Sequence, residues 1–261
     1  MTRSLFEDWY PAGIDPASYD PVATARLAMK PQLPKRFYEK ASFDQSETGF
    51  RLLLDGRPAK TPARATLAVP SAELGTALAA EWNAQTTHIN PAEMPLTRLA
   101  NAILDGVVDK AEAVADEIVR YAGSDLLCYR ADTPQSLVAR QAAAWDPVLA
   151  WARTKTGATF ILTEGVVFVA QPDDLLGKIR PHVPQDPWRL GATSVVTTLT
   201  GSAVLGLALA HRAFDREAVW QAAHVDEDFQ TDMWGFDVEA AERRAARRRD
   251  YDAAALVLSS T

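Results

Sequence analysis

The chain has 261 residues, 48% of them hydrophobic and 23% charged, the balance of a folded globular protein and not of a disordered one. A formal net charge of −7 at pH 7 repels a phosphate backbone and argues against general nucleic-acid binding. The single cysteine, Cys128, excludes an internal disulfide and fits a reducing compartment.

The first 13 residues carry Glu7, Asp8, Trp9 and Pro11 and no apolar run. They read as neither a secretory signal nor a mitochondrial transit peptide, which predicts a bacterial cytoplasmic protein or an already trimmed mature chain. Residues 15–30 read as a short helix or an extended arm. Residues 35–70 read as strands. Aromatic-rich residues 36–43 and the run Phe50-Arg51-Leu52-Leu53-Leu54 are separated by a polar turn, Asp55-Gly56 is a tight-turn dipeptide, and prolines bound the short extended pieces that follow. This is a small antiparallel β unit.

After Pro70 the texture becomes helical. Ser71 is a candidate N-cap, with Leu74, Leu78, Trp82 and Gln85 on one face of the helix it opens. Residues 96–108 and 111–121 read as two more helices. Thr133-Pro134 opens the next, striped by Leu137, Gln141, Trp145 and Val148, and Pro147 either kinks it or starts a new helix after Asp146. Residues 160–162 and 166–169, joined through Glu164-Gly165, read as a second hairpin. Helices are predicted over 172–182, within 190–211, over 215–234 and over 238–258. Residues 190–210 lack formal charge and are long enough to span a bilayer, but four threonines, two serines and the Gly201-Ser202 break dilute the run. Two buried helical pieces, without membrane insertion, are the expectation. The fold class is therefore α+β: a small N-terminal, mainly antiparallel β domain (residues 1–70) followed by a larger α-helical domain (residues 71–261).

The usual catalytic patterns are missing. The sequence has no glycine-rich phosphate loop, no Gly-x-Ser-x-Gly elbow, no His-Glu-x-x-His pair and no Cys-x-x-Cys. His88, His182, His211 and His224 lack ligand spacing and read as surface or packing residues, so no metal and no cofactor is expected. Cys128 reads as a buried, inert thiol. The arginines at 243, 244, 247, 248 and 249 read as a solvated helix face or a protein contact, with Glu239 placed four residues before Arg243.

Residues 215–234 are the most informative segment. Taken as one helix, they put Ala218, Ala222, Val225 and Phe229 on one stripe, and Trp220, His224, Glu227 and Trp234 opposite. That second face, rimmed by Asp226, Glu227, Asp228 and Asp232, is either buried or an aromatic patch of the kind that recognises a partner protein.

Six blocks in order carry a resemblance. They are Asp55-Gly56-Arg57-Pro58-Ala59-Lys60-Thr61-Pro62, Glu81-Trp82-Asn83-Ala84-Gln85, Met94-Pro95-Leu96-Thr97-Arg98-Leu99-Ala100, Ser124-Asp125-Leu126-Leu127-Cys128-Tyr129-Arg130, Leu199-Thr200-Gly201-Ser202, and Trp234-Gly235 followed by Glu239. The sequence resembles the assembly chaperones that bind the unassembled alpha subunit of the F-type ATP synthase catalytic sector in mitochondria and alphaproteobacteria. It departs by one residue from the mitochondrial pattern, placing three residues between Trp234-Gly235 and Glu239. The resemblance implies a chaperone, not an enzyme, that caps the alpha subunit's interface until the beta subunit replaces it; a monomer when free is the expectation, which the sequence itself does not fix. The resemblance favours a partner contact at Glu239, and the acid-rimmed aromatic face adds Trp234, Glu227, Trp220 and Asp228 as candidate partner contacts. Trp82, Arg98 and Asp125 are expected to be structural or partner-binding, with Trp82 read as a core anchor. Two rival readings stand beside it: a small-molecule enzyme with an acidic cleft, with Glu227 or Glu239 as general base, and a nonspecific holdase.

Overall fold

The structure, a computed structural model, describes residues 33–165 and 167–261. The expectations for residues 1–13 and 15–30 lie outside the described residues.

The β unit forms as its turns dictate. Strands β1 (Ala41–Ser46) and β2 (Gly49–Leu54) pair antiparallel from Ala41 opposite Leu54 to Ser46 opposite Gly49. Asp55 and Gly56 both take positive φ, 48° and 76°, the two-residue turn that returns the chain as β3 (Arg57–Pro58) along β2. Strand β4 (Ala68–Val69) pairs with the other end of β2. The buried side chains Leu52, Leu67 and Val69 are covered by the first helix, α1 (Ala72–Ala84), through Leu74 and Leu78. Ser71 caps α1 by accepting the Leu74 N–H.

A helical path follows. It runs through α2 (Pro95–Ala102), a π-helical turn (Ile103–Val107) and a short 3₁₀ turn into α3 (Ala111–Ala122). Helix α4 (Gln135–Thr156) runs unbroken through Pro147 and buries Gln141, Trp145 and Val148, the expected stripe. The short α5 (Leu175–Ile179) leads to α6 (Pro187–Thr200) and α7 (Ala203–Ala210). Every residue of α7 is buried, which accounts for the uncharged run. Gly201, at φ 68°, separates the two helices, and Ser202 caps the second. No helix among the described residues is long and apolar enough to cross a membrane. Helix α10 (Val238–Ser260) lies along α6 and also meets α2. One apolar core takes side chains from the sheet, α1, α2, α4, α6, α7 and α10.

Two expectations are corrected. Among the described residues, 160–165 and 167–169 do not form a hairpin. Strand β6 (Thr163–Glu164) instead pairs in parallel with β5 (Tyr129–Arg130), a partner more than 30 residues upstream. Residues 215–234 are not one helix. Helix α8 (Arg216–Ala223) stops at His224, whose φ −119° and ψ 16° are not helical, and α9 (Val225–Trp234) begins there. The imidazole Nδ1 bonds the Trp220 carbonyl at 2.7 Å, while Asp226, Glu227 and Asp228 supply the negative charge that a helix start favours.

Candidate functional site

The block at the end of α1 is a clasp. The Glu81 carboxylate accepts the backbone N–H groups of Leu96 and Thr97 at 2.7 and 2.8 Å and so caps α2 from another helix. Burial pushes its pKa up, against the pull of those hydrogen bonds. Half-buried Trp82 donates its Nε1–H to Thr97 Oγ1 at 3.1 Å and lies 5.5 Å from the Tyr38 ring. Asn83 pairs with both backbone groups of Ala41 in β1. Gln85 accepts the Asn90 N–H at 2.7 Å through its side chain, and its carbonyl receives Arg36. One helical turn thus ties the sheet to α2. Arg98, also on α2, makes a surface ion pair with Asp250 of α10.

Asp125 is fully buried. Its carboxylate receives the N–H groups of Leu127 at 3.1 Å and Val204 at 3.0 Å, the latter in the first turn of α7. Burial outweighs these bonds and pushes its pKa up to about 6. Cys128 is likewise enclosed, and burial pushes its thiol up to about 12.

The break at His224 separates the two tryptophans expected on one face. Trp220 is buried, stacked 3.9 Å from His224 and 5.0 Å from Tyr251, with the Arg248 guanidinium over its ring. It belongs to the core and not to an outward patch. Beyond the break, acids and arginines close α9 onto α10. Glu227 takes both its oxygens to Arg247 at 2.7 and 2.9 Å and Asp228 pairs with Arg244, while before the break Glu217 ties α8 to α10 through Arg248 at 2.8 Å. Asp232 reaches across to Arg140 of α4 at 2.6 Å.

At the corner where α9 meets α10 the apolar side chains face solvent. Met233 is 61% exposed, Trp234 80%, Phe236 73% and Val238 64%. Gly235, at φ 92° and extended ψ, makes the turn that pushes them out, and Asp237 caps α10 by accepting the Glu239 and Ala240 N–H groups. Glu239 sits beside them, 81% exposed at its side chain and 2.7 Å from Arg243. The corner therefore joins Trp234 and Glu239, as the sequence suggested, to Met233, Phe236 and Val238, which it did not single out. Their signal was available: apolar residues crowded around a glycine and a capping acid. Exposed apolar groups crowded at one corner form the kind of patch that can engage a partner protein. Among the described residues no group of three or more His, Cys, Asp or Glu is placed to hold a metal.

The ATP12 chaperone protein family matches residues 35–153. Atu1473 of Agrobacterium tumefaciens, a proposed chaperone, is 45% identical over 94% of this chain and 92% of its own, with a TM-score of 0.81. Atp12 from Paracoccus denitrificans is 38% identical over 87% of this chain and 98% of its own, at 0.78, and a point mutant of Paracoccus Atp12 matches at 0.77 with 37% identity over 87% and 97%.

The chain belongs to the ATP12 chaperone family.

As an ATP12 chaperone it serves ATP synthase assembly and is not an enzyme. The general-base reading of Glu227 and Glu239 is set aside with that. Both carboxylates already face arginines, and the surface at the corner is apolar where an acid–base site would gather convergent polar groups. The match over residues 35–153 covers the clasp and ends before the corner.

Proposed function

We propose that this ATP12 chaperone binds the free alpha subunit of the F-type ATP synthase catalytic sector and shields its subunit interface until the beta subunit replaces it. A free subunit exposes surface that it later buries, and such surface drives aggregation. A monomeric chaperone in the bacterial cytoplasm, or in the mitochondrial matrix for eukaryotic relatives, caps that surface without chemistry. The observation that carries this reading is the exposed corner of Met233, Trp234, Phe236 and Val238, with Glu239 at its edge to meet a basic group on the client. Glu227 and Asp228 act one step back, holding α9 to α10 through their arginines.

The test is capture of the alpha subunit from a cell extract and rescue of ATP synthase assembly in cells lacking the native chaperone. Trp234→Ala combined with Phe236→Ala should keep the wild-type melting temperature within about a degree, because both side chains are exposed, and should abolish capture. Glu239→Gln loses a cap-proximal charge and a surface ion pair together worth only about 0.3–1 kcal/mol, so it should fold normally and capture weakly. Full rescue by both variants would overturn the reading. Capture of many unrelated proteins by the wild type would mark a nonspecific holdase.

A further inference from the structure

A second surface lies on the sheet side of the molecule, built from elements other than α9 and α10. A groove of about 490 Å³ opens between the β2–β3 turn and the end of α1. Its wall is aromatic. Phe37 is 71% exposed and stands edge-on to Tyr38 at 5.4 Å, with Trp82 beyond. Its rim carries the exposed cations Arg57 and Lys60. The one acid in the lining, Asp55, is engaged by the backbone: it accepts the N–H groups of Glu39 at 3.1 Å and Lys40 at 2.9 Å. Those bonds, with Arg36 and Arg57 nearby, hold its pKa below the usual carboxylate range. Arg36 spends its guanidinium on the carbonyls of Tyr38, Glu39 and Gln85. None of Arg36, Arg57 and Lys60 forms an ion pair with a carboxylate among the described residues.

A locally cationic groove with an aromatic wall is unusual on a chain whose net charge is −7. Its chemistry selects an occupant. Carboxylates are drawn to Arg57 and Lys60, and an apolar side chain on the same segment packs against Phe37 and Trp82. The volume admits a few side chains and no folded domain. We infer that this groove docks a short acidic segment of the client that carries an aromatic or branched apolar side chain, giving the chaperone a second grip separate from the α9–α10 corner. The inference rests on the capture reading above, but not on the corner.

The experiment measures alpha-subunit capture by the full chain at low salt and at about 0.5 M salt, where charge–charge attraction is largely screened. The variants are Arg57→Glu with Lys60→Glu, Phe37→Ala, and Trp234→Ala. All four side chains are exposed, so the variants should fold, and melting curves verify that they do. The charge-reversed protein should capture at least about tenfold less than wild type at low salt, and the gap should close at high salt. Phe37→Ala should lose capture at both. Charge-reversed protein that captures like wild type at low salt overturns the groove and leaves the corner standing. If wild type captures no alpha subunit, the capture reading fails instead. The groove is then tested by fluorescence anisotropy with a labelled Glu- and Phe-containing peptide against a Lys- and Phe-containing control. Selective binding of the acidic peptide, lost on charge reversal, supports the groove, and equal binding of the two peptides overturns it.

Discussion

Burying a carboxylate costs free energy that hydrogen bonds recover only in part, and Asp125 shows the balance. It caps α7 from below, yet burial pushes its pKa up to about 6 from the ordinary carboxylate value of 3.8. The folded state therefore binds a proton more tightly than the unfolded chain. Stability from this group is fully present below the unfolded value and is lost as pH rises from about 4 to about 6, by an amount on the order of 3 kcal/mol. Asp125→Asn cannot titrate there, and it also turns an amide N–H₂ toward backbone donors, a loss of about 1–3 kcal/mol. The variant should thus be less stable than wild type at pH 4, with the gap narrowing by pH 7. Denaturant melts across that range check it, and a gap independent of pH would mean that Asp125 does not hold its proton in the fold.

At the scale of elements, the pairing of α9 with α10 decides how the corner is presented. Its ion pairs are partly exposed, and each contributes only about 0.2–1 kcal/mol. Arg244→Gln with Arg247→Gln should lower the melting temperature by a few degrees at most, yet free α9 from its neighbour. Amides of residues 225–234 should exchange faster with solvent, and alpha-subunit capture should fall in step. Unchanged exchange in that helix would show that apolar contacts alone hold it. These pairings were only partly legible in the sequence. Glu239 and Arg243 are four apart on one helix, so spacing alone predicts their contact. Glu227 and Arg247 are 20 residues apart, and their meeting depends on the turn at Gly235. The break at His224 carries no glycine or proline to announce it, so helical spacing alone puts Trp220 and Trp234 on one face. The β5–β6 pairing was hidden for a related reason: two-residue strands have too little periodicity to read, and their partners are distant in sequence.

For the molecule as a whole, what could be read was what is local. The β unit followed from Asp55-Gly56 and its flanking apolar residues, and the α6–α7 break from Gly201-Ser202. The proposed binding corner was half visible, through Trp234, Gly235 and Glu239, because exposure is a property of the finished fold. The blocks at Glu81–Gln85 and Asp125 suggested importance, and the structure shows it as clasps and caps. The bare corner also has a colloidal consequence. Every unoccupied copy carries four solvent-facing apolar side chains into a crowded solution, where a second copy is the nearest substitute for the client. The net charge of −7 keeps like molecules apart, but that barrier shrinks as the Debye length falls from about 10 Å at 0.1 M salt to about 3 Å at 1 M. Light scattering of the purified chaperone should show reversible pairs growing with ionic strength, while the Trp234→Ala, Phe236→Ala protein stays monodisperse. Dispersity unaffected by salt in the wild type would count against it. Surplus negative charge would then serve as the chaperone's own guard against self-capture, keeping the adhesive patch unspent until a client arrives.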